Sequence, residues 1–341
     1  MSPSLEFHAT LGPAAASGQA RHALLCAGTT ALRVNLSHAP GEQAAALLGE
    51  LRGQARAQGF AVALGADLRG RKLRTGTLQH GQVLLQAGQD FELCPLPVDE
   101  EGVGDGARAT VNCPQLGALV RPGTRILLDD GALELQVVDA APARVRCVVL
   151  TGGPLLERVG VNLPGTALTL PALTPRDLAD LDALRAQPPD HLYLSFVERA
   201  EDLVLLRREL DARGMNCRLI AKIERAAALQ ELPAIAAEAD ALCLARGDLG
   251  VEIGLARVPR AQRLVATAAQ HAHTPWLLAG EVLLTTLHRP QPSRAELTDL
   301  QTALDQQVSG FVLSDETAVG PDPASAVRWL ASLCREMAEA L

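Results

Sequence analysis

Aromatic residues are nearly absent from this sequence of 341 residues: two Trp, one Tyr and five Phe make up 2% of it. Proteins that hold nucleic acid by stacking its bases need more rings than that. The net charge of −8 and the scatter of the arginines point the same way, so no nucleic-acid partner is expected. No apolar run is long enough to span a bilayer, so no membrane partner is expected either. The N-terminus, MSPSLEFHATLGP, has no basic segment followed by an apolar stretch, and thus no visible secretory signal. The seven cysteines stand singly, without C-x-x-C spacing. That fits reduced thiols in a cytosol, hence an expected cytoplasmic location, with Cys217 and Cys243 filling core. Lysine is scarce as well: of 31 Lys plus Arg, only Lys72 and Lys222 are lysine. A position that keeps Lys in an arginine-rich chain is expected to need a compact point charge rather than a planar fork.

What the sequence does have is apolar content, 48% of the chain, enough for one large domain and a smaller one. Strand-like and helix-like segments alternate from the start. Leu5–Leu11, a run from Ala31 to Asn35-Leu36-Ser37-His38, and Phe60–Leu64 ending near Asp67 read as strands, with a helical pattern over Glu42–Gln58. From Leu68 to Pro164 the texture changes to short β-like runs: Val83–Gln86, Ile126–Leu128, Leu133–Val138 and Val145–Leu150. Asp129-Asp130-Gly131 and Gly152-Gly153-Pro154 punctuate them, and Asp-Gly between apolar runs signals a hairpin. The alternation then resumes. Strands are expected over Leu192–Phe196, Leu219–Ile223, Ala241–Ala245, Trp276–Ala279 and Phe311–Leu313, and helices over Glu201–Arg213, Pro259–His271, Glu296–Gln307 and Pro323–Leu341. Eight β–α units suggest a closed (β/α)₈ TIM barrel, with a doubly wound open sheet as the alternative.

The stretch from Arg218 to Glu252 carries the chemistry. One apolar run opens onto Lys222 and Glu224, which share a face because alternate strand residues do. A second opens onto Arg246-Gly247-Asp248, and Pro233 kinks or restarts the helical segment between them. A cation and two carboxylates at neighbouring strand ends suit a divalent metal beside an anionic substrate. In a barrel the strand C-termini are where such groups gather, and Asn35, Ser37, His38, Asp67, Ser195, Glu281, Ser314 and Glu316 also follow strands.

At these residues the sequence resembles pyruvate kinase. The segments ATLGP, LRVNLSHA, GADLRGRKLRTG, ILLDDGALELQV, GVNLPG, LTPRDLADL, LSFV, IAKIE, LARGDLGVEI, RPQPSRAEL and LSDETAVGPDPASAV follow that family's order over nearly the whole chain. The resemblance implies a (β/α)₈ barrel over 1–67 and 165–341, with an all-β domain over 68–164 inserted after strand three. It implies Mg²⁺-dependent phosphoryl transfer from phosphoenolpyruvate to ADP, giving pyruvate and ATP. Lys222 matches the lysine that stabilises the transferring phosphoryl group, and Arg33 the arginine on the phosphate. Glu224 and Asp248 match the magnesium ligands. Gly247 and Asp248 match the helix start that receives the substrate carboxylate, with Gly280 at the same subsite. Asn35, Ser37 and Asp67 match a monovalent-cation site. Asn35, His38 and Arg74 match the nucleotide side, where Arg158 stands beside Val159 in place of a common lysine. The family's C-terminal allosteric domain has no counterpart before residue 341, so a monomer or homodimer without that regulation is expected.

Besides Val159, the chain departs from the pattern in two places. Leu68 replaces a cation-ligating threonine and Lys72 a glutamate, so the Lys72 ammonium is expected beside Asp67, Asn35 and Ser37, with K⁺ not required. Ala279-Gly280-Glu281 aligns with Ala-Thr-Gln, which removes a hydroxyl, enlarges the pocket and adds a carboxylate that repels an anionic substrate. Beside the kinase reading stand two others: a metal-dependent enzyme of a related 2-oxo acid or enol phosphate, and a catalytically impaired paralogue.

Overall fold

The computed structural model describes residues 5–98, 100–166 and 170–339. Eight parallel strands close into a barrel: β1 (Glu6–Leu11), β2 (Ala31–Asn35), β3 (Ala63–Leu68), β4 (His191–Leu194), β5 (Arg218–Ile223), β6 (Ala241–Ala245), β7 (Trp276–Ala279) and β8 (Gly310–Leu313). Their order round the ring is their order along the chain, and β1 pairs with both β2 and β8, which rules out the open sheet. Strands this short are buried on both faces, so they read as apolar runs rather than alternations. In β6, Leu242 and Leu244 pack outward against the helices, while Ala241 and Cys243 fill the interior with Tyr193, Ile220, Leu277 and Val312. Small inward residues leave room for the few large ones: a Cβ on Gly65 would lie 3.0 Å from the Tyr193 ring.

Several element boundaries differ from expectation, two of them for clear local reasons. The third strand begins at Ala63, not Phe60, because Gly59 turns left-handed (φ +74°) and the Phe60 amide donates back to the Ala55 carbonyl, closing the helix Gly41–Ala57. The helix before β6 covers only Leu232–Glu238, since Pro233 sits in its first turn, where its missing N–H is no loss. The last helix is described over Pro323–Glu339; Ala340 and Leu341 lie outside the described residues.

Between β3 and the helix Pro175–Leu184 the chain builds a seven-stranded sheet, in spatial order Leu73–Arg74, Gly160–Asn162, Arg125–Leu128, Leu133–Ala141, Arg144–Thr151, Asp90–Pro95 and Arg108–Val111. Phe91, Leu93, Ile126, Leu135 and Val145 belong to its core. Leu68, expected to open this insertion, is the last residue of β3. Asp129-Asp130-Gly131 makes the expected hairpin. After Gly152 the chain leaves that sheet, and Gly153–Leu156 pairs with Gln82–Leu85. Two buried arginines fix where the chain crosses between barrel and sheet. Arg71 donates to the Leu170 carbonyl (3.0 Å) and to Asp202, and Arg225 to the Thr166 carbonyl (2.8 Å), Glu198 and Glu252. All seven cysteines are free thiols, with Cys217 and Cys243 buried. Among the described residues no helix is long and apolar enough to cross a membrane.

Candidate active site

Side chains projecting inward near the C-terminal ends of β1 to β5 meet in one polar layer. From β2, Arg33 donates to Thr10 Oγ1 through Nε (2.9 Å) and Nη2 (2.7 Å), and pairs with Asp67 Oδ2 through Nη1 at 2.5 Å. From β5, Lys222 Nζ donates to Ser195 Oγ at 2.9 Å and lies 3.2 Å from Asp67 Oδ2 and 3.0 Å from Glu224 Oε1. Ser195 Oγ donates in turn to Asp67 Oδ1 at 3.0 Å. Just past β5, Glu224 Oε2 accepts the Phe196 amide at 2.8 Å, an amide presented by a left-handed residue (φ +58°).

The electrostatics follow from this crowding. Burial works against the Lys222 charge, but the Asp67 and Glu224 carboxylates outweigh it and hold the ammonium above the usual lysine range. Burial pushes Glu224 up, the Asp248 and Asp67 carboxylates push it further, and Lys222 only partly offsets them. Carboxylates that repel one another in a dry site bind a hard cation readily. Glu224 and Asp248 therefore fit a magnesium ion, which takes one or two protein carboxylates and completes its shell with water and substrate oxygens.

Asp248 stands in the first turn of the helix Arg246–Ile253, which starts directly at the end of β6 with no side-chain cap on its first N–H groups. Gly247 is exposed there, and such an N-terminus receives anions. Asp248 Oδ1 accepts Lys72 Nζ at 2.7 Å. This corrects the expected place of Lys72. Beyond β3 the chain bends at Gly70 (φ +59°) and carries the ammonium over the mouth, 5.7 Å above the Phe196 ring and 4.0 Å from Asp130. The positive charge beside Asp67 comes from Lys222 and Arg33 instead. Asn35 Oδ1 accepts the Ser37 amide at 2.9 Å, and Leu68 is buried.

Gly280 also differs from expectation. Its φ is +89°, and a Cβ there would lie 3.0 Å from the Gly247 nitrogen and 3.2 Å from the Arg246 nitrogen. The glycine lets the end of β7 press against the helix start, so it closes space rather than enlarging a pocket. Glu281 is exposed, where water and salt screen its repulsion of an anion. Arg246 fastens this approach, donating to the Gly280 carbonyl at 3.0 and 2.8 Å and to Asp299 Oδ2 at 2.5 Å. The sequence placed Arg246 in a motif but gave no sign of its partners, 34 and 53 residues away. Thr10, which orients Arg33, was missed for the same reason.

Beside the mouth a cleft of about 620 Å³ runs under the inserted sheet, with Ser37, His38, Lys72, Arg74 and Arg158 among its walls; Asn35 is not one of them. Arg74 Nη1 donates to the Arg158 carbonyl at 3.1 Å, and Arg158 grips the Glu101 carboxylate from Nε and Nη2. Val159 is buried, so Arg158 offers the cation at that edge. The neighbouring Arg74 and Arg69 charges, after burial itself, hold the His38 ring below its usual range and thus neutral at pH 7.

The pyruvate kinase barrel-domain family model matches residues 4–327. The chain is 34% identical to pyruvate kinase of Methylorubrum extorquens over 94% of its own length and 65% of that enzyme's. It is 32% identical to pyruvate kinase of Leishmania mexicana over 97% and 66%, and 33% identical to that of Geobacillus stearothermophilus over 97% and 56%. The chain thus spans about two thirds or less of the length of these relatives. A crystal structure of a pyruvate kinase from Cryptosporidium parvum superposes with a TM-score of 0.90 at 28% identity, covering all of this chain and 70% of that one. With the barrel and these matches in agreement, the chain belongs to the pyruvate kinase family.

Proposed function

We propose that this chain catalyses Mg²⁺-dependent phosphoryl transfer between phosphoenolpyruvate and ADP at the barrel mouth, within the cytoplasm. One observation carries the reading: the Lys222 ammonium, kept charged by Asp67 and Glu224, sits in a water-poor layer with Arg33. Phosphoryl transfer needs fixed positive charge more than it needs a nucleophile from the protein. Glu224 and Asp248 hold Mg²⁺, which when bound neutralises the phosphoryl and enolate oxygens as a Lewis acid. Lys222 and Arg33, which meet at Asp67 Oδ2, bind the phosphoryl group, and the first N–H groups of the helix Arg246–Ile253 orient the substrate carboxylate. Arg74 and Arg158 face the nucleotide phosphates across the cleft. Gly280 offers no hydroxyl beside the enolate, so the proton that completes pyruvate comes from water.

A second reading, favoured by that missing hydroxyl, is a reaction on a related enol phosphate or 2-oxo acid at the same metal; a catalytically impaired paralogue is the third. The test is pyruvate formation from phosphoenolpyruvate and ADP with Mg²⁺, coupled to a reporter enzyme, alongside calorimetry of Mg²⁺–substrate binding. Turnover in the parent protein, with binding lost in Glu224→Gln and Asp248→Asn, is the expected result. No pyruvate, with turnover of another enol phosphate, establishes the second reading; binding intact in both variants overturns the metal assignment.

A further inference from the structure

The opposite end of the barrel holds a second polar cluster that phosphoryl transfer does not use. Near the start of β1, Glu6 and His8 point inward, and from the start of β4 His191 joins them. One ligand atom from each of the three lies within 4.8 Å of the others. His8 Nε2 is 2.8 Å from Glu6 Oε2, and the two imidazoles stack with centroids 5.4 Å apart. His191 Nδ1 is buried and has no hydrogen-bond partner among the described residues. An orphaned ring nitrogen is a cost that a ligand would remove.

We propose that Glu6, His8 and His191 form a site for a first-row transition-metal ion of the Zn²⁺ class at the N-terminal mouth of the barrel. Two imidazoles and one carboxylate, with a position left for water, are the donor set that such ions prefer and that Mg²⁺ does not. The supports around the donors are those of a metal site. Tyr193 hydroxyl hydrogen-bonds His8 Nδ1, which orients the ring so that Nε2 faces Glu6. Arg218 Nη1 contacts both Glu6 oxygens, at 2.9 and 2.8 Å, so it retains Oε1 when Oε2 turns to a metal. Entry is from the barrel floor, because His8 is buried while Glu6 and His191 are only partly so. The two metal preferences are separable: hard oxygens above, imidazoles below.

The experiment uses the full chain, stripped with a chelator and then saturated with Mg²⁺ so that the carboxylates at the upper mouth are occupied. Co²⁺ is titrated as the spectroscopic probe, followed by Zn²⁺ as competitor. The expected result is one Co²⁺ per chain, visible d–d absorption of low coordination number, and displacement by Zn²⁺. His191→Gln and Glu6→Gln, both at half-buried positions, are each expected to weaken Co²⁺ at least about tenfold, and Tyr193→Phe about tenfold through loss of the orienting bond. Zn²⁺ is expected to raise the melting temperature of the parent protein and not that of His191→Gln. Absence of saturable Co²⁺ binding overturns the site, and so does equal binding by the parent and both ligand variants.

Discussion

Lys72 and Asp248 meet at 2.7 Å, so a residue beside the inserted sheet holds a carboxylate that the proposed magnesium site requires. The two side chains are 19% and 20% exposed, which places the pair between a surface contact worth little and a buried one worth much. Metal and ammonium therefore compete for one oxygen. Lys72→Met is expected to tighten Mg²⁺ in the absence of substrate by a few-fold, about 0.5–1 kcal/mol. Calorimetric titration of both proteins reads this directly, and an unchanged or weaker affinity would show that the pair opens independently of the metal.

Gly280 makes a prediction against intuition. Restoring the hydroxyl by Gly280→Thr places a β-branched side chain at φ +89° and a Cβ at 3.0 Å from the Gly247 nitrogen. The left-handed backbone alone costs roughly 1–2 kcal/mol. The variant is expected to melt lower and to bind substrate more weakly, since the helix start moves. A gain in turnover at unchanged stability would mean that the loop relaxes freely.

The barrel was legible because its signals are local: eight short apolar runs, nearly all followed by a helical pattern, with polar residues where the runs end. Lys222, Glu224 and Asp248 were legible for the same reason, lying at the ends of neighbouring strands. Lys72 was not, because its partner is 176 residues away and the bend at Gly70 decides where the ammonium lands. The sign of the Gly280 effect was hidden too. A glycine in a sequence looks like missing volume, and only the backbone dihedral shows that the space is already filled.

The layer around Lys222 predicts a stability change that metal reverses in part. Asp67 and Glu224 are 2% and 1% exposed at their side chains, and Lys222 lies within 3.2 Å of both. Lys222→Met leaves two buried carboxylates without that cation, a loss of about 3–5 kcal/mol when a buried pair is broken from one side. Mg²⁺ at about a hundred times its dissociation constant returns roughly 2.7 kcal/mol. Thermal denaturation is expected to show a lower melting temperature for the variant and a larger Mg²⁺-induced rise than in the parent. Equal rises in the two proteins would separate Lys222 from the metal site.

The last expectation concerns monovalent cations. The oxygens that a K⁺ ion would need are already engaged: Asn35 Oδ1 accepts the Ser37 amide, Asp67 Oδ2 holds Arg33 and Lys222, and Asp67 Oδ1 accepts Ser195 Oγ. Leu68 is buried and contributes no side-chain oxygen. Two cations within 3.2 Å of one Asp67 oxygen leave little attraction for a third. Turnover is therefore expected to be nearly the same in Na⁺, K⁺ or a bulky organic cation. Because Lys72 is on Asp248 and not beside Asp67, Lys72→Met is expected to leave that indifference intact while shifting the Mg²⁺ response. Leu68→Thr is the contrasting variant: it puts a hydroxyl at the position where the family has threonine without touching the cations, and a partial K⁺ response there would mark the lost ligand. Turnover measured against K⁺ concentration, at fixed ionic strength and saturating Mg²⁺, separates the cases. Strong K⁺ activation of the parent protein would mean that Arg33 or Lys222 leaves Asp67 once substrate binds.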